Sequence, residues 1–82
     1  MQYRIQVFAG LIQLTGSTII ILEAPEEKMT IEDLRSRVID QYPQAAPLLQ
    51  QSFMAVNHAY ALLGQAISPT DELAIIPPVS GG

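Results

Sequence analysis

Residues 2–8 read QYRIQVF, with Tyr3, Ile5 and Val7 alternating against Gln2, Arg4 and Gln6. A period of two marks a strand with one buried face, so this segment is expected to be the first strand. The next stretch, AGLIQLTG, is bounded by the breakers Gly10 and Gly16 and is too short for a long helix. It is read as a connecting loop or a single helical turn. STIIILE, residues 17–23, is rich in β-branched side chains and stops near Pro25, which predicts a second strand antiparallel to the first.

A helix start is written into MTIEDL. Thr30 as N-cap with Asp33 three residues on forms a capping box, and Met29 and Leu34 occupy the positions of a hydrophobic staple. Ile31, Leu34, Val38 and Tyr42 then recur at helical spacing, and Pro43 ends the run because the residue before proline resists helical geometry. QAAPLLQQ is an ambiguous connector with room for one more helical turn. SFMAVN reads as a strand, followed by a turn at Asn57 and His58, a short strand near Tyr60 to Leu62, turn chemistry in SPTDE, and a last strand ELAII, residues 72–76. The nearly unbroken apolar run of that last strand is expected at the centre of a sheet. Strand, strand, helix, strand, short strand, strand is the order of an α+β, ubiquitin-like β-grasp fold, in which one main helix crosses one face of a mixed sheet.

Composition narrows the function. Eighty-two residues form one modest core, so most of the activity must involve another molecule. With no cysteine there is no disulfide, thiolate metal ligand or persulfide of the chain's own. The net charge of −4, with only Arg4, Lys28, Arg35 and Arg37 as strong bases, disfavours nucleic acid and anionic membrane and favours a basic protein partner. No apolar run approaches a membrane span, and MQYRIQV lacks signal-peptide architecture, so a cytoplasmic location is expected. The chain has no Gly-rich phosphate loop, hence no nucleotide site is expected on it.

The end of the chain, IIPPVSGG, joins these readings. If residues 1–76 are the domain and 77–82 the tail, Pro77 and Pro78 cannot extend the ladder, and their fixed φ favours an extended exit. Val79, Ser80, Gly81 and Gly82 then span ~13 Å when extended. Side-chain-free Gly81 and Gly82 let the backbone enter a narrow channel and present the carboxylate of Gly82, a nucleophile toward an activated phosphate.

FAGLIQLTG after the first strand, AVN at residues 55–57 and above all DELAIIPPVSGG at the end resemble the small subunit of molybdopterin synthase, over nearly the whole chain. The resemblance implies a non-catalytic sulfur carrier whose Gly82 is adenylated by an activating enzyme, with ATP bound there and no cofactor or metal on this chain. A sulfur donor then converts the adenylate to a thiocarboxylate. It further implies docking of the tail, Pro77 to Gly82, into a large subunit, within a heterotetramer of two small and two large subunits, where sulfur passes to a cyclic pyranopterin monophosphate. Phe8, Leu11, Ile12, Ile75 and Ile76 are candidates for the partner surface. Ile12 and Gln13 stand where many relatives carry a charged pair, so an apolar contact there is expected in place of an electrostatic one.

Other readings stay open at this point. A thiamine-type sulfur carrier shares the Gly-Gly end, a ubiquitin-like modifier conjugates Gly82 to lysines, and a plain interaction module has no use for the tail. Phe8, Leu11 and Leu14 are also core candidates, because apolar residues just after a strand are usually buried. Of Ile75 and Ile76, alternation sends one to the core and the other to the opposite face. His58 has no ligand set nearby in sequence, and Asp71 and Glu72 are expected to serve a turn rather than act as paired acids.

Overall fold

The computed structural model describes residues 1–25 and 28–78. In chain order the elements are β1 (Gln2–Val7), α1 (Gly10–Thr15), β2 (Ile19–Glu23), β3 (Met29–Thr30), α2 (Ile31–Gln41), a 3₁₀ turn (Pro43–Ala45), α3 (Ala46–Gln51), β4 (Phe53–Val56), β5 (Ala59–Tyr60), β6 (Ala66–Ile67) and β7 (Leu73–Ile76). Five strands form one sheet in the order β2-β1-β7-β4-β5, and β3 pairs with β6 in a second, two-stranded sheet. The β1–β7 pairing is parallel and the other pairings are antiparallel, giving the mixed sheet of a β-grasp fold.

One face of the large sheet is dry. Tyr3, Ile5 and Val7 of β1, Ile20 and Leu22 of β2, and Leu73 and Ile75 of β7 meet Ile31, Leu34 and Val38 of α2 in a single core. The alternation in β1 is complete, buried and exposed residues trading places along all six positions. The capping box predicted at Thr30 is present: its Oγ1 accepts the Asp33 N–H at 3.1 Å, and Asp33 Oδ2 accepts the Thr30 N–H at 3.2 Å. Met29 and Leu34, the expected staple pair, are both buried. Tyr42 caps the end of α2 and Pro43 opens the 3₁₀ turn, as the proline rule requires.

Three details depart from the sequence reading. The β3–β6 pair was not expected, because two-residue strands leave no periodicity to detect. Gly10 does not interrupt the chain but starts α1, whereas Gly16 stops it with φ 79°, in the left-handed region glycine enters freely. The fifth strand begins at Ala59, because Asn57 and His58, with φ 52° and 70°, form a two-residue turn of the kind that matches strand twist.

β7 lies between β1 and β4, the central position predicted for its apolar run. After Ile76 the chain passes to a buried Pro77 and an exposed Pro78. Among the described residues no helix is long and apolar enough to cross a membrane.

Candidate functional site

Among the described residues no helix covers the second face of the sheet, and its side chains can be placed from the strand register. Ile19, Gln6, Ala74, Ala55 and Tyr60 run across it from β2 to β5, through the pairs Gln6↔Ile19, Gln6↔Ala74, Ala55↔Ala74 and Ala55↔Tyr60. The two alanines keep the middle of this row low. Above it, at the end where β7 hands over to the prolines, Phe53 sits opposite Ile76, and the Phe53 and Tyr60 rings are 5.7 Å apart with a 58° tilt. The result is an open groove of about 340 Å³ lined by Gln6, Phe8, Ala55, His58, Tyr60, Glu72, Leu73, Ala74 and Ile76. Phe53 and Tyr60 are 56% and 76% exposed, unusual for aromatic side chains so close together.

The end of the groove far from the prolines is polar. His58 Nε2 lies 2.8 Å from Glu72 Oε2, with both side chains largely in solvent. Behind them Asp71 closes a turn, accepting the Ser68 N–H at 2.8 Å and the Asn57 side-chain amide at 3.1 Å. Those two bonds, the Ser68 one foremost, hold the Asp71 carboxyl below its ordinary range. Asp71 therefore has the turn role expected of it. Glu72 has a partner that the sequence did not reveal.

The candidate surface residues separate cleanly. Phe8 and Ile76 line the groove. Leu11 and Ile75 do not belong to any surface: each is 0% exposed, Leu11 because α1 turns it under the sheet and Ile75 because it alternates with Ile76. Ile12 is half-buried against the core and is absent from the groove lining. Ala55, Ala74, Phe53 and Tyr60 escaped sequence reasoning, since only the pairing register brings β4, β5 and β7 side by side. Of the tail, Pro77 and Pro78 stand at the exit, while Val79, Ser80, Gly81 and Gly82 lie outside the described residues.

The open sheet face thus lies beside the point where β7 passes into Pro77 and Pro78. The model of the ThiS family matches residues 5–82, from the first strand through both terminal glycines. The chain belongs to the ThiS family. The molybdopterin synthase sulfur carrier subunit of Dictyostelium discoideum is 37% identical to it over 83 residues, covering 99% of this chain and 96% of its own. The crystal structure of SAMP1 from Haloferax volcanii matches with a TM-score of 0.84 and 26% identity, covering 100% of both chains. The complex of subunits 1 and 2 of molybdopterin-converting factor from Helicobacter pylori 26695 contains a chain of the same fold, with a TM-score of 0.67, 18% identity and 100% of both chains covered. The resemblance read from the terminal signature is thus upheld, and with it the β-grasp fold.

Proposed function

We propose that this chain is the sulfur carrier subunit of molybdopterin synthase, and that its open sheet face docks the large subunit while its tail delivers sulfur. The observation that carries the reading is the position of β7. A central strand, bonded on both sides, ends at Ile76 beside Phe8 and Phe53 and passes directly into Pro77 and Pro78 at the apolar end of the groove. The name borne by the relative from Dictyostelium discoideum favours this reading over the thiazole-forming alternative.

In this reading the Gly82 carboxylate attacks the α-phosphate of ATP held by a separate activating enzyme, displacing pyrophosphate. Sulfur delivered by a donor as hydrosulfide then attacks the acyl carbon, AMP leaves and the S–H proton is lost, yielding a thiocarboxylate. In the large subunit the sulfur passes to a cyclic pyranopterin monophosphate, and water restores the carboxylate. This chain contributes no acid, base or metal to these steps; it positions and carries. Pro77 and Pro78 aim the segment, and Gly81 and Gly82 permit entry to a narrow channel. The assembly is a heterotetramer of two small and two large subunits in the cytoplasm.

The test is a sulfur-transfer assay with reconstituted partners, comparing the native chain with one carrying an extra residue after Gly82. The extended chain is expected to keep its fold and lose transfer. Normal transfer by the extended chain rules the carrier role out.

A further inference from the structure

The two edges of the five-stranded sheet are built differently. β5 is two residues long, whereas β2 runs for five and exposes Ile19 and Ile21, each 39% accessible. A long apolar edge is a template for another strand unless something covers it.

The ladder fixes which groups point outward. Val7 donates to the Thr18 carbonyl at 2.9 Å, and Met1 and Ala24 exchange bonds at 2.9 and 3.0 Å. Antiparallel pairs alternate between bonded and non-bonded, so the even residues of β2 face β1, and Ile19, Ile21 and Glu23 turn their N–H and C=O groups to the edge. Two of these residues are covered by the chain's own side chains. Ser17 Oγ accepts the Ile19 N–H at 3.2 Å and donates to the Ile19 carbonyl at 2.8 Å. Gln41 Nε2, at the end of α2, reaches the Ile21 carbonyl at 3.4 Å.

We infer that β2 is a strand-pairing surface for a second copy of this chain, held closed by Ser17 and Gln41. The strand is complementary to itself. A two-fold antiparallel pairing centred on Ile21 sets Ile21 against its counterpart and Ile19 against Glu23. That register makes every outward-facing residue part of a reciprocal bonded pair and keeps the two Glu23 carboxylates apart. It also brings the Ile19 and Ile21 side chains of both copies together on the open face. Because β2 and β5 are opposite edges, such a dimer leaves Phe53, Tyr60 and the tail exit uncovered.

Sedimentation equilibrium of the full chain tests this, with the native sequence, the double variant Ser17→Ala/Gln41→Ala, and that double variant with Ile21→Lys added. Removing the covers takes away competing hydrogen bonds and is expected to tighten self-association by about tenfold or more. The added lysine, an edge-blocking charge, is expected to return the chain to monomer. A double variant that associates no more than the native chain overturns the proposal, and so does a dimer that survives Ile21→Lys. Thermal melts first establish that each variant is folded. Amide exchange then reads the pairing directly: the Ile21 N–H is expected to slow with rising concentration of the double variant, and exchange independent of concentration contradicts strand pairing.

Discussion

Asn57 and Glu72 hold each other through two hydrogen bonds, the Asn57 N–H to the Glu72 carbonyl at 2.8 Å and the Glu72 N–H to Asn57 Oδ1 at 2.9 Å. The side-chain oxygen thus satisfies a backbone donor at the mouth of the β4–β7 ladder, and the amide nitrogen is left to bind Asp71. Asparagine is one of the few residues that tolerates the φ of 52° found here. One side chain therefore sets the turn between β4 and β5 and the register that carries Ile76 to the tail exit.

Replacing Asn57 by alanine removes both side-chain bonds and the left-handed preference together. A loss of about 1 kcal/mol is expected in urea denaturation, from the two side-chain bonds and the left-handed preference together. A change within ~0.5 kcal/mol, the range of an ordinary surface substitution, contradicts the role given to this side chain.

Ala9 stands at φ 52°, ψ −131°, a region suited to glycine, between the groove residue Phe8 and the start of α1. Leu11 N–H bonds the Phe8 carbonyl at 3.1 Å and Ile12 N–H the Ala9 carbonyl at 3.0 Å, and these bonds hold the strained residue in place. Ala9→Gly is expected to stabilise the fold by about 1 kcal/mol, which raises Tm by about 4–8 °C in a domain of this size. An unchanged or lower Tm shows that no strain is stored there.

Ile75 and Ile76 are neighbours with opposite duties. Ile75→Ala empties part of the core and is expected to cost about 2–5 kcal/mol. Ile76→Ala is expected to spare most of the stability while weakening capture of the large subunit, measured by calorimetry, by about tenfold or more. Equal effects of the two substitutions on stability, with no loss of partner affinity from Ile76→Ala, contradict the assignment of the groove.

Much of this was legible from the chain alone, for physical reasons that differ by element. The capping box at Thr30 and Asp33 is local chemistry, and β1 declares itself by strict alternation, so both are read without knowing the fold. Ile75 and Ile76 were separable only as alternatives, because alternation says that two neighbours face opposite ways and not which way each faces. The groove was out of reach: Ala55, Ala74, Phe53 and Tyr60 look unremarkable in sequence and acquire meaning only when β7 pairs with β4 and β4 with β5. Leu11 reads in sequence as either core or surface, because the short helix that buries it has too few residues to show a period.

Acid sensitivity follows from two carboxylates. Asp33 is held below its ordinary value of 3.8 by the Thr30 N–H, helped by the Thr30 hydroxyl, and Asp71 below the same value by the Ser68 N–H, helped by the Asn57 amide. A group whose pKa is depressed in the folded state stabilises above its unfolded pKa, and that contribution disappears as pH falls through the folded value. The urea midpoint is therefore expected to fall on acidification from about pH 5 downward. In Asp33→Ala/Asp71→Ala the decline is expected to be shallower, and an unchanged slope contradicts the role of these two groups.

The central claim is chemical, and the intact mass of the chain tests it most directly. The protein is incubated with an activating enzyme, ATP and a sulfur donor, each proven active on another carrier, and then weighed and fragmented. The account predicts replacement of one oxygen by one sulfur, localised to Gly82. An unchanged mass, or sulfur on any other residue, contradicts it.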